Sequence, residues 1–128
     1  MIETALGIIK REMNILDVPY GFVRWASEKP VPERYWIGEY TEVPTLTEDG
    51  AREYNLILTG TTKELWSLLM QDVAKIEDRF PRTCDFREST EKGSVVIFYE
   101  NNFPVPTGEA NLKRIQVNLR IKAWKGMK

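Results

Sequence analysis

Few places in this chain gather groups that could do chemistry. Glu48-Asp49 sets two carboxylates side by side, able in principle to hold a divalent cation through oxygen ligands, but acids at the spacing of a calcium loop are absent. Asp72, Glu77 and Asp78 fall on a predicted helix, where pairing with Lys75 and Arg79 accounts for them. The run Glu109-Ala110-Asn111-Leu112-Lys113 has the wrong spacing for an acid-x-lysine nuclease motif. Gly60-Thr61-Thr62-Lys63 precedes a helix, as a phosphate loop does, yet lacks the earlier glycine and the closing Lys-Ser/Thr pair. Cys84 is the single cysteine of a chain with 0 histidines, which leaves it no disulfide partner and no imidazole to activate it. It reads as a partly buried thiol beside a loop. The expectation is therefore no catalytic residue, no cofactor and no metal, hence not an enzyme.

Two surfaces are more informative. Tyr20, Phe22, Trp25, Tyr35, Trp36 and Tyr40 form an aromatic set, a core cluster between adjacent strands or, where they point outward, material for an interface. Charge is unevenly spread behind a net value of -1. From 39 to 53 the chain carries Glu39, Glu42, Glu48, Asp49 and Glu53 against Arg52 alone. After Glu109 it has no acid but Lys113, Arg114, Arg120, Lys122, Lys125 and Lys128.

The elements that must position these groups follow from periodicity. Ile2, Ala5, Leu6, Ile9 and Met13 share one face of a helix over 2–14, with Gly7 costing about 1 kcal/mol against alanine. Strands are predicted at 20–25, 35–41 and 52–59, the last two joined by a long hairpin whose tip, 42–50, is polar and ends in Asp49-Gly50. Thr61-Thr62-Lys63-Glu64 fits a capping box, opening a helix whose apolar face is Leu65, Leu68, Leu69, Val73, Ile76 and Phe80 and which Pro81 stops. Segment 82–87 reads as a weak strand or loop, 95–99 as a strand, and 101–110 as a loop too proline-rich to be strand throughout. From 114 to 123, Ile115, Val117, Leu119, Ile121 and Ala123 alternate with Arg114, Gln116, Asn118, Arg120 and Lys122, giving one core face and one polar, basic face. The 128 residues thus predict a single α+β domain: a mostly antiparallel sheet of about five strands, two helices on one face, in the order helix-β-β-β-helix-β-β. No apolar run approaches the roughly 18 residues of a membrane span, and Met1-Ile2-Glu3-Thr4 lacks signal-peptide character, so a cytosol-like compartment is expected.

Several stretches together resemble a family. A helix runs into Asp17-Val18-Pro19-Tyr20-Gly21-Phe22. A proline-marked connector leads to Tyr35-Trp36-Ile37-Gly38-Glu39-Tyr40. Thr47-Glu48-Asp49-Gly50 precedes Leu56-Ile57-Leu58-Thr59-Gly60-Thr61-Thr62, which enters a helix through Trp66, and the alternating strand closes the chain. In element order and phrasing the chain resembles the tail-completion proteins, tail terminators and head-tail joining proteins, of long-tailed phages and prophages. The resemblance carries no catalytic signature and transfers no functional residue.

It implies a structural virion component, made in the host cytoplasm and incorporated in the tail, that caps or joins the tail tube at its head-proximal end as a ring-forming subunit, often hexameric. The implied partners are further copies of itself, the tail tube protein and the head connector, with no membrane and no sequence-specific nucleic-acid binding. An acidic hairpin and a basic strand face suit a heterologous contact, in which Glu42, Glu48, Asp49 and Glu53 of one subunit meet Arg114, Arg120 and Lys122 of the next. Two alternatives stand beside this. One is another neck, minor capsid or baseplate assembly protein; the other is a small nucleic-acid- or ligand-binding domain using the aromatic strands.

Overall fold

The computed structural model describes residues 2–23, 33–44 and 50–125. Trp25, the connector 29–32, residues 45–49 of the hairpin tip with Glu48 and Asp49, and Lys128 lie outside the described residues; Glu42 and Val43 of the predicted tip belong to a strand. The order is α1 (Ile2–Ile15), β1 (Tyr20–Phe22), β2 (Arg34–Val43), β3 (Arg52–Thr62), α2 (Trp66–Arg79), β4 (Phe86–Thr90), β5 (Gly93–Pro104) and β6 (Lys113–Lys125). The strands form one mixed six-stranded sheet, β1-β2-β3-β6-β5-β4, curled into a half-barrel with the two helices.

This corrects the expected five-stranded antiparallel sheet and its order. A third strand follows α2: β4, whose sequence Phe86-Arg87-Glu88-Ser89-Thr90 buries only Phe86 and so shows no apolar alternation. Its polar side chains suit an edge strand, which must not invite pairing with other chains. The sheet is mixed because β1 runs parallel to β2, with Tyr20 beside Trp36 and Phe22 beside Gly38. Residues 23–33 separate the two strands, more than the two residues of a tight hairpin, and a parallel pair needs such a longer connection.

The rest pairs antiparallel. β2 and β3 form the predicted hairpin, in register from Val43–Glu53 to Arg34–Thr62. β4, β5 and β6 form a meander, and β6 closes on β3 at the centre of the sheet. The alternation of β6 is realised in full: Ile115, Val117, Leu119, Ile121 and Ala123 are buried, and each intervening residue is half-buried. They share a core with Leu56 and Leu58 of β3, Val95 and Ile97 of β5, and Ala5, Ile9, Met13, Leu69 and Ile76 of the helices. β5 runs on to Pro104, beyond the predicted end at 99. Its proline is tolerated because it is the last residue of the strand.

Two local expectations also change. β3 continues through Thr62, so the capping box does not form; α2 starts only at Trp66, and its N-cap residue Leu65 makes no side-chain cap. The Thr62 hydroxyl instead accepts from the Glu64 amide at 3.0 Å, a local turn between strand and helix. Leu65, predicted on the apolar face, consequently lies outside the helix and is 70% exposed.

Candidate functional site

With α1 packed on β1 and β6, and α2 on β3, β5 and β6, the helices cover one face of the sheet. The opposite face is set by strand alternation and carries Tyr35, Ile37 and Glu39 from β2, Glu53, Asn55, Ile57 and Thr59 from β3, and Arg114 to Trp124 at every second position of β6. Cross-strand rows on this face read Glu39–Ile57–Asn118–Asn101 and Thr41–Asn55–Arg120–Phe98. A β-bulge between Tyr99 and Asn101 inserts Glu100, so that Glu100 and Asn101 both serve this face while Tyr99 turns to the core. Asn101 Oδ1 accepts from Asn118 Nδ2 at 2.7 Å, and Gln116 Nε2 donates to Asn118 Oδ1 at 3.1 Å, a ladder of side-chain amides.

The predicted interface residues separate on this frame. Arg114, Arg120 and Lys122 do share the uncovered face, as alternation requires. The acids do not share one: Glu53 lies on that face, while Glu42 pairs with Tyr54 and faces the helix side. Glu53 and Arg120 meet within one chain. Arg120 Nη1 lies 3.5 Å from Glu53, and its Nε donates to Glu100 Oε1 at 3.1 Å, so its guanidinium is clamped between two carboxylates of its own sheet. Arg114 Nε donates to the Thr61 hydroxyl at 3.3 Å. The Lys122 ammonium stands 5.9 Å from the centre of the Trp124 ring, a cation–π contact. Glu42 approaches Arg52 at 3.8 Å, both largely exposed. Glu48 and Asp49 lie outside the described residues.

The aromatic set divides too. Trp36 is fully buried, whereas Phe22 and Tyr40 stack at 6.1 Å with their rings 14° apart and stay exposed. Tyr20 turns inward against Gly38, where its hydroxyl is buried without a hydrogen-bond partner among the described residues and burial pushes its pKa up to about 12. Burial raises the Tyr99 hydroxyl as well; the Asn102 amide donates to it. Neither phenol is held ready to lose a proton.

The groups that sequence reasoning missed are buried ion pairs beneath the helices. Asp72, assigned to surface pairing with Lys75 and Arg79, is 1% exposed and accepts instead from Arg34 Nε at 2.7 Å and Trp36 Nε1 at 2.9 Å. Glu12 is equally buried and accepts from Arg79 and Arg11. Arg11 also reaches Glu88 at 2.6 Å, tying α1 to β4. Burial resists ionisation of Glu12, but the two arginine hydrogen bonds outweigh it and hold the carboxyl below its ordinary range. The signal was present in the phase. Glu12 lies four residues after Ile8 and Asp72 three after Leu69, so each acid sits on its helix's buried stripe.

Cys84 is half-buried in the loop before β4, its thiol facing the Arg82 carbonyl at 3.9 Å. Among the described residues no three acids, cysteines or histidines are grouped to hold a metal, and no helix is long and apolar enough to cross a membrane. No protein-family model matches this chain, and no curated protein matches it.

Proposed function

We propose that the chain is a structural subunit of a phage or prophage tail, which caps or joins the tail tube at its head-proximal end by assembling with further copies of itself. The supporting observation is the sheet face opposite the helices. It spans four long strands and presents half-buried Ile37, Ile57, Phe98 and Trp124 among amides and charges. Apolar and aromatic side chains set within hydrogen-bonded polar groups are the composition of a wet, non-obligate protein interface. The resemblance in element phrasing supplies the setting.

The test is genetic and structural. Deleting the gene from a phage that carries it and imaging the particles should give tails of abnormal length. Complete tails without heads would assign the chain to head joining. Normal, infectious particles would overturn an assembly role of either kind.

A further inference from the structure

We infer that copies of this chain meet through an aromatic anchor on the β1–β2 edge, Phe22, Tyr40 and Glu42, seated on the Lys122–Trp124 pair of the next copy; this rests on the assembly role proposed above.

The first patch is an exposed apolar edge. Phe22 and Tyr40 are 37% and 39% exposed although they stack on one another, and the adjoining Val23 is 65% exposed. Val23 holds a φ of 67°, a left-handed conformation that a β-branched side chain rarely adopts, and its N–H donates to the Gly38 carbonyl at 2.8 Å. Aromatic side chains left outward on a sheet edge are the kind that anchor interfaces. Glu42 follows Tyr40 on the same face of β2 and puts a carboxylate beside the rings. Its 3.8 Å approach to Arg52, between side chains 53% and 73% exposed, holds it weakly.

The second patch has the opposite character. Along β6, Arg120 is occupied by Glu53 and Glu100. Lys122 has no carboxylate within ion-pair reach among the described residues and lies over the Trp124 ring on the same face. An aromatic ring capped by an ammonium group complements two aromatic rings flanked by a carboxylate. The two patches lie on different strands and different faces, so the contact is heterologous: each copy offers one patch to each neighbour. Such a contact closes into a ring when its rotation permits. A polyanionic partner would repel Glu42, which is why a second copy is the occupant.

The experiment is sedimentation velocity on the full chain, with circular dichroism and thermal melts confirming that each variant folds. Wild type should associate with concentration. Glu42→Lys and Lys122→Glu should each weaken association at least tenfold, and the double reversal should recover it. A Phe22→Ser variant and a Lys122→Glu/Trp124→Ser variant should each be monomeric alone but form 1:1 dimers when mixed, since each keeps the patch the other lacks. A monomeric wild type at the highest soluble concentration, folded variants that associate like wild type, or a mixture that stays monomeric would each overturn the contact. An abnormal tail-length phenotype alongside any of these results would leave the assembly role standing and remove only this contact.

Discussion

The indole Nε1 of Trp36 donates to Oδ2 of Asp72 across 2.9 Å, joining the start of β2 to the first half of α2. Both residues are buried, and Arg34, two positions before Trp36 on the same face, donates to the same oxygen at 2.7 Å. The carboxylate therefore serves as the shared acceptor for two donors of β2. Asp72→Ala would leave a buried indole N–H and a guanidinium without it. We expect a loss of about 3 kcal/mol, at the low end for a broken buried pair because Arg34 keeps some contact with water. Asp72→Asn retains a carbonyl acceptor and should lose about half as much. Urea unfolding of the two variants checks the order.

Trp36 also explains a glycine. A Cβ built on Gly60 would lie 2.6 Å from the Trp36 ring, inside the core and with no flexible end to yield. Gly60→Ala should destabilise by about 1–3 kcal/mol, as overpacking does. Gly7, in the middle of α1, has nothing within 4 Å of its would-be Cβ. Gly7→Ala should stabilise by about 0.5–1 kcal/mol through helix propensity alone. Opposite shifts in melting temperature for the two alanines would confirm both assignments.

The ion pairs around α1 set an acid limit. For Glu12, burial is outweighed by hydrogen bonds from Arg79 and Arg11, and for Glu88 the hydrogen bond from Arg11 leads; both carboxyls are held below the ordinary range. A depressed folded pKa means that the unfolded chain binds protons first as pH falls. The stabilisation is thus fully present above the ordinary carboxylate pKa of about 4.3 and is lost as pH drops through the lower folded values. Urea midpoints should fall between about pH 5 and pH 3, and Glu12→Gln should flatten that decline. A decline equally steep in the variant would place the acid sensitivity elsewhere.

Legibility in the sequence followed how local each determinant was. β6 was legible because its residues alternate without a break, and a period of two permits one face only in the core. β4 was not, since an edge strand needs little apolar content and is held by its partner β5. The parallel pairing of β1 depends on where 23–33 carries the chain, which no local pattern states. Asp72 and Glu12 are visible by phase, yet an acid is rarely buried without a partner, so surface pairing accounts for Asp72 and nothing singles out Glu12; the partners, Arg34 and Arg79, are 38 and 67 residues away. The charge asymmetry is legible as composition and only partly as geometry. Glu42 and Glu53, eleven positions apart around a hairpin, fall on opposite faces of the sheet.

That geometry separates two roles within the basic strand. Arg120 is held between Glu53 and Glu100, with its side chain only 23% exposed and theirs 14% and 31%. Arg120→Ala removes a forked donor from two partly desolvated carboxylates on neighbouring strands and should cost about 1–2 kcal/mol of stability. Lys122, two residues on, lies over the Trp124 ring and makes no ion pair among the described residues. Lys122→Ala should leave the unfolding free energy within about half a kcal/mol of wild type, as substitutions away from buried features do. If the two substitutions are assayed together for stability and for self-association, Arg120→Ala should register mainly in the first measurement and Lys122→Ala mainly in the second. Equal effects in both would mean that the Glu53–Arg120–Glu100 clamp opens when copies meet, because a guanidinium satisfied inside its own sheet has no reason to respond to a neighbour.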